Sequence, residues 1–182
     1  TVSFGGRISN NGTGYGIQID GSATFLDTVS FGGDINSSTG YGINIGGSGT
    51  FLNTVSFGGD IDNGSGIKIY GSGTFHDVSF GGDISSGQGM QIDGSGTGTF
   101  NNTVSFGGSI TTGQGIQIEN SGTGTFQETV SFGGSIIAGS YGIYIDNSGT
   151  GTFQDVGFNG RIFKGTQKTL NQHLKIEEKS IQ

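Results

Sequence analysis

Cysteine, proline and tryptophan are absent from the 182 residues, methionine occurs once, and charged side chains make up only 12%. Without cysteine there are no disulfides and no thiolate metal sites. The 41 glycines are not those of collagen, which needs glycine at every third position together with much proline. No stretch approaches the ~18 consecutive apolar residues of a membrane span, so no transmembrane segment is expected. Basic residues are scarce as well: before residue 161 only Arg7 and Lys68 stand against twelve acidic residues, a balance of −10. From Arg161 onward five basic residues face two acidic ones, giving +3. Phosphate binding needs clustered Lys or Arg, so nucleic acid is excluded as a partner along the body. The two histidines, His76 and His173, lie too far apart to suggest a zinc site or a catalytic triad.

What the chain does contain is one unit written repeatedly. TVSFGG starts at Thr1, Thr28, Thr54, Thr103 and Thr129, and returns without its threonine at Val78. The phenylalanines Phe4, Phe31, Phe57, Phe80, Phe106, Phe132 and Phe158 follow one another at steps of 27, 26, 23, 26, 26 and 26 residues. A period of this size marks a supersecondary unit that buries its apolar face only by stacking on its neighbours, and six intervals exceed the minimum of about three that stacking needs.

Within one unit, three short runs alternate with the two-residue period of strands: Val29 and Phe31 around Ser30, Ile43 and Ile45 around Asn44, and Thr50 before Phe51. Gly, Asn and Ser clusters separate the runs, as expected of corners that use positive φ. The inward positions recur: Phe31, Phe57, Phe80, Phe106 and Phe132 form one column, Ile45, Ile69, Ile92 and Ile118 another. Between the isoleucines the residue changes freely through Gln18, Asn44, Lys68, Gln91, Gln117 and Tyr144, and these are expected to be exposed. The prediction is an all-β chain folded as a right-handed parallel β-helix, a β-solenoid of about six to seven coils of ~26 residues with three short strands per coil; the handedness follows the crossover preference of parallel strands. The 23-residue step is expected to lose its residues at a glycine-rich corner and before Val78.

The repeats span residues 1–163. Residues 164–182 differ in composition and are expected to form a C-terminal tail that caps the last coil or contacts another subunit. The sequence starts on a strand of the repeat, so the expectation is either that it is a piece of a longer solenoid or that its open end receives a like subunit. Acidic body against basic tail suits head-to-tail assembly into a filament.

Glycoside cleavage needs two carboxyl groups at a defined separation, and such a site would break the repeat locally. Here Asp34, Asp60 and Asp83 follow SFGG, while Asp20, Asp93 and Asp146 follow the isoleucine run. Acids held in register are expected to be structural, and no catalytic residue and no enzymatic activity are predicted. No cofactor is expected either. Ca2+ remains compatible with Gly-Asp-rich corners, although the nine-residue calcium repeat of β-rolls is missing.

Threonine supplies the candidate outward face. SGTGTF occurs three times, setting Thr97 beside Thr99, Thr123 beside Thr125, and Thr150 beside Thr152, with Thr50 and Thr74 at the matching place in earlier units. Stacked Thr-x-Thr pairs resemble the ice-binding face of β-solenoid antifreeze proteins, a likeness limited to half the coils. Over nearly all of the first 160 residues, SGTGTFxxTVSFGGxI is similar to the glycine-rich strand repeats of autotransporter-type passengers and related bacterial surface adhesins. That resemblance implies a secreted or cell-surface β-helical stalk without enzymatic activity, whose partners are a host or cell-surface glycan or protein, or like subunits.

Overall fold

The computed structural model describes residues 1–9, 14–146 and 148–163, so the predicted tail at 164–182 lies outside the described residues. Those described are all-β, without a helix, and form six stacked coils of three walls. The first wall holds the VSF strands Val2–Phe4, Val29–Phe31, Val55–Phe57, Val78–Phe80 and Val104–Phe106. Tyr15–Ile19, Ile35–Ile45, Ile61–Ile69, Gln88–Ile92, Gln114–Ile118 and Tyr141–Ile145 make the second. The third holds Ser22–Phe25, Ser48–Phe51, Ser72–Phe75 and Thr97–Phe100. In the last two coils Thr123–Phe132 and Thr150–Phe158 run through the corner and serve the third and first walls together, which joins those walls into one sheet.

All strand pairing is parallel and links equivalent residues of adjacent coils: Val29 to Val55, Phe80 to Phe106, Ile69 to Ile92, Phe100 to Phe126. Between the first two walls Ile8, Ile35, Ile61, Ile84, Ile110, Ile136 and Ile162 form a further ladder of single bridges. The predicted core columns are therefore physical columns. Phe31, Phe57, Phe80, Phe106, Phe132, Ile45, Ile69, Ile92 and Ile118 are all buried. Rings from Phe4 to Phe158 stack with centroids 4.8–5.0 Å apart and planes within 10° of parallel. A second stack, from Phe25 to Phe153, keeps 4.6–5.2 Å. The strand spacing of about 4.8 Å imposes this ring spacing, which falls within the favourable range for offset aromatic pairs.

Glycine earns its abundance here differently from the corner rule. Only Gly64, Gly94 and Gly139 among the described glycines have positive φ. At most of the others the limit is space: a Cβ on Gly42 would sit 2.4 Å from the Phe57 ring, and one on Gly134 would sit 2.1 Å from the Gly108 carbonyl oxygen. Glycine makes room for the rings and lets one coil's corner rest on the next.

Length differences fall in corners. The second-wall pairing of Ile35–Ile45 with Ile61–Ile69 shifts register between Ile35 and Tyr41, which absorbs part of the short step before the strands resume. At the corner between the second and third walls, later coils replace two residues by four. Gly96, Gly122 and Gly149 there donate to the carbonyls of Asp93, Glu119 and Asp146, closing β-turns.

Candidate functional site

The outer face of the third wall carries every threonine singled out from the sequence. Thr97 pairs in register with Ser72 and Thr123, Thr99 with Thr74 and Thr125, and Thr123 and Thr125 with Thr150 and Thr152. Ser48 and Thr50 continue both columns to Ser22 and Thr24. The array is thus wider than Thr-x-Thr spacing implied: serine occupies the outer column in the first three coils, and hydroxyl pairs line six coils. Its spacings are about 4.8 Å between coils and about 7 Å along each strand. The intervening Gly49, Gly73, Gly98 and Gly124 face isoleucine Cδ1 atoms of the core.

On the first wall Ser3, Ser30, Ser56, Ser79, Ser105 and Ser131 line a shallow groove of about 570 Å3 along the rod. No titratable side chain lines it. The acids after SFGG bind backbone: Asp34 Oδ1 accepts from the Asp60 N–H at 3.0 Å, Asp60 from Asp83 at 2.8 Å, and Asp83 from Ser109 at 2.6 Å. His76 Nδ1 lies 2.9 Å from Asp77 Oδ2 and 3.2 Å from the Asn102 amide, in the corner column before TVSF. Among the described residues no three His, Cys, Asp or Glu side chains gather as metal ligands. No described helix is long and apolar enough to cross a membrane. His173 lies outside the described residues.

The second wall differs from the others. A strict alternation through Tyr41, Ile43 and Ile45 would turn the tyrosine inward. Instead Gly42 and Ile43 both face the interior, the glycine against the Phe57 ring. This break turns Tyr41 outward, where the Lys68 ammonium lies 5.5 Å from its ring centroid and 4.7 Å from that of Tyr70. Tyr15 stacks on Tyr41 at 5.6 Å, and Tyr141 meets Tyr144 at 5.2 Å. All five tyrosines of the chain thereby belong to one face.

Amides and carboxylates fill the space between them. Lys68 Nζ pairs with Asp93 Oδ2 at 3.1 Å and donates to Gln91 Oε1 at 2.9 Å. Gln91 and Gln117 both donate to Glu119, Asn120 donates to Asp93, and Ser65 and Gln114 are joined through Gln88. This network corrects the expectation of free exposure. Asn44, Lys68 and Gln91 are 9%, 6% and 9% exposed, because the flanking tyrosine, glutamine and acidic side chains close over them. Burial pulls the Lys68 pKa down, but hydrogen bonds to Tyr70 and Asp93 outweigh it and leave the group above its ordinary value. Burial likewise pushes Asp93 up; bonds from Asn120, Lys68 and the Gly94 N–H reverse that and hold it below the ordinary carboxylate value. Burial raises Tyr41.

Two amide oxygens on this face, Asn44 Oδ1 and Gln117 Oε1, are buried without a hydrogen-bond partner. Sequence reading names these amide positions but does not assemble the face. The available signal was that all tyrosines lie within or directly beside the GIxI segments. Compared with known proteins, the chain matches no family model, and no curated protein or solved structure matches it.

Proposed function

We propose that the chain is a non-enzymatic structural or adhesive element, secreted or held at a cell surface, which presents the outer faces of a stiff β-solenoid to a host or cell-surface glycan or protein, or to like subunits. The observation that carries this reading is the contrast between a core repeated coil after coil and a second wall whose outer residues vary along the rod, from Gln18 through Asn44 and Lys68 to Gln91, Gln117 and Tyr144. A continuous parallel ladder gives stiffness, and varied side chains on one face give a partner something to distinguish. The engaged Asp34, Asp60 and Asp83 column supports a structural use of the acids. Binding of chain-coated beads to cell or matrix preparations tests the proposal: retention is expected, whereas sugar release from a polysaccharide panel would replace it with a lyase or hydrolase.

Assembly into filaments is a finer form of the same proposal, supported by an acidic body and a basic segment from Arg161. Light scattering at rising concentration is expected to report growing particles; monomers throughout would remove the filament.

A second reading, ice binding, is favoured by the in-register hydroxyl pairs across six coils. It expects inhibition of ice recrystallisation that Thr125→Tyr abolishes. No effect of the unmodified chain on ice would eliminate it.

A further inference from the structure

We propose that the outer face of the second wall is a binding platform for a neutral, linear saccharide chain lying along the rod axis. The inference rests on the adhesive reading and names its ligand. Its first support is the gathering of Tyr15, Tyr41, Tyr70, Tyr141 and Tyr144 on one face, with Tyr15 and Tyr70 37% and 44% exposed. Phenol rings offer an apolar body and a polar tip, which suits the C–H faces and hydroxyls of a sugar ring. They occupy coils one, two, three and six, so the platform extends about 24 Å at one strand spacing per coil. An extended chain fits that outline better than a single sugar.

The second support is the polar chemistry between the rings. It consists of glutamine, asparagine and carboxylate groups, the donors and acceptors that hydroxyls pair with. Among the described residues the buried side-chain atoms without a hydrogen-bond partner are Asn44 Oδ1, Gln117 Oε1 and the Ser140 Oγ just before the last strand of this wall. Both amide oxygens are shut off from solvent, so the polar contacts to a ligand fall to groups of this wall that reach the surface, such as Gln18 and Asp20. Charge then narrows the class. Asp20, Asp93, Glu119 and Asp146 follow the isoleucine run on this wall, while its one lysine is already held by Asp93 and Gln91. Uronic acids and sulfated sugars meet net repulsion and no free cation, so a neutral saccharide is selected.

The test is affinity gel electrophoresis of the intact chain through immobilised neutral polysaccharides (a glucan, a galactomannan, a xylan) and anionic ones (polygalacturonate, heparin), with a lysine-rich peptide as competitor. Retardation by at least one neutral polymer is expected. Tyr15→Ala and Tyr144→Ala are each expected to weaken it about tenfold. Leu52→Ala, at an exposed position between the third and first walls, should leave it unchanged, and thermal unfolding of each variant reports whether the fold is intact. Retardation only by anionic polymers, displacement by the peptide in place of the sugar, full retardation by both folded tyrosine variants, or no retardation by any neutral polymer overturns the proposal. Bead adhesion separates the two claims: adhesion unaltered in the tyrosine variants removes the saccharide platform and leaves the adhesive rod, while neutral-polymer binding without adhesion does the reverse.

Discussion

Gly115 lies beneath the Phe132 ring, where an added methyl group would sit 2.6 Å from Cε1 and 2.7 Å from the Gly142 carbonyl oxygen. Gly107, one coil position away in the VSFGG corner, has nothing nearer than 3.6 Å to such a methyl. Gly115→Ala is therefore expected to destabilise by about 1–3 kcal/mol through overpacking, and Gly107→Ala to stay within about 0.5 kcal/mol of the parent, both read by urea unfolding. The Lys68–Asp93 pair makes a different prediction at the same scale. Asp93 has its folded pKa below the ordinary 3.8, so its contribution is complete above about pH 4 to 5 and is lost as pH falls through the folded value. Lys68, raised above 10.5, contributes fully below that pH and loses its share as pH rises through its own folded value. The stability gap between the parent and Asp93→Asn should be widest near neutrality and narrow below about pH 4. A gap that stays constant down to pH 3 would show that the pair contributes nothing through its charge.

At the scale of the strand, the phenylalanine stack ties each first-wall strand to the coils above and below. Phe106 sits between the rings of Phe80 and Phe132 and is 2% exposed. Phe106→Ala opens a cavity that neither neighbour can fill without leaving its own column, and is expected to cost about 3–5 kcal/mol. Phe4, partly buried and stacked on Phe31, should cost less when truncated. Equal losses in denaturant titrations would mean that ring stacking adds nothing beyond local burial. The GIxI strands show why walls with similar sequences differ in use. An inward glycine under each first-wall ring breaks their alternation and turns the preceding side chain outward. That is how Tyr41, Ser65, Gln88 and Gln114 share a face with Lys68 and Gln91.

For the whole molecule, contacts run almost entirely between adjacent coils, so stability is a sum of coil and interface terms. Deleting 107–132 joins Phe106 to Gly133 and removes 26 residues, one full coil, in register. The shortened chain is expected to keep a cooperative transition of lower stability. Deleting 107–119 instead removes the second-wall strand Gln114–Ile118 from between its neighbours and is expected to abolish that transition. If circular dichroism melts of the two deletions coincide, coil register is not what holds the rod together.

The sequence by itself determined the column. Residues repeated at ~26-residue steps, Phe57 over Phe80 or Ile69 over Ile92, satisfy burial only when stacked, so walls and inward positions could be read from spacing alone. The hydroxyl array was half legible, because serine in the first three coils does the work that threonine does in the last three. Tertiary structure alone decided what the outer face of the second wall is. Tyr41, Lys68, Gln91 and Glu119 come from four different coils, and the turn that brings them together depends on a glycine pressed against a ring in another wall. Two-residue periodicity carries no record of that contact, since the steric demand comes from across the core and not from the strand itself.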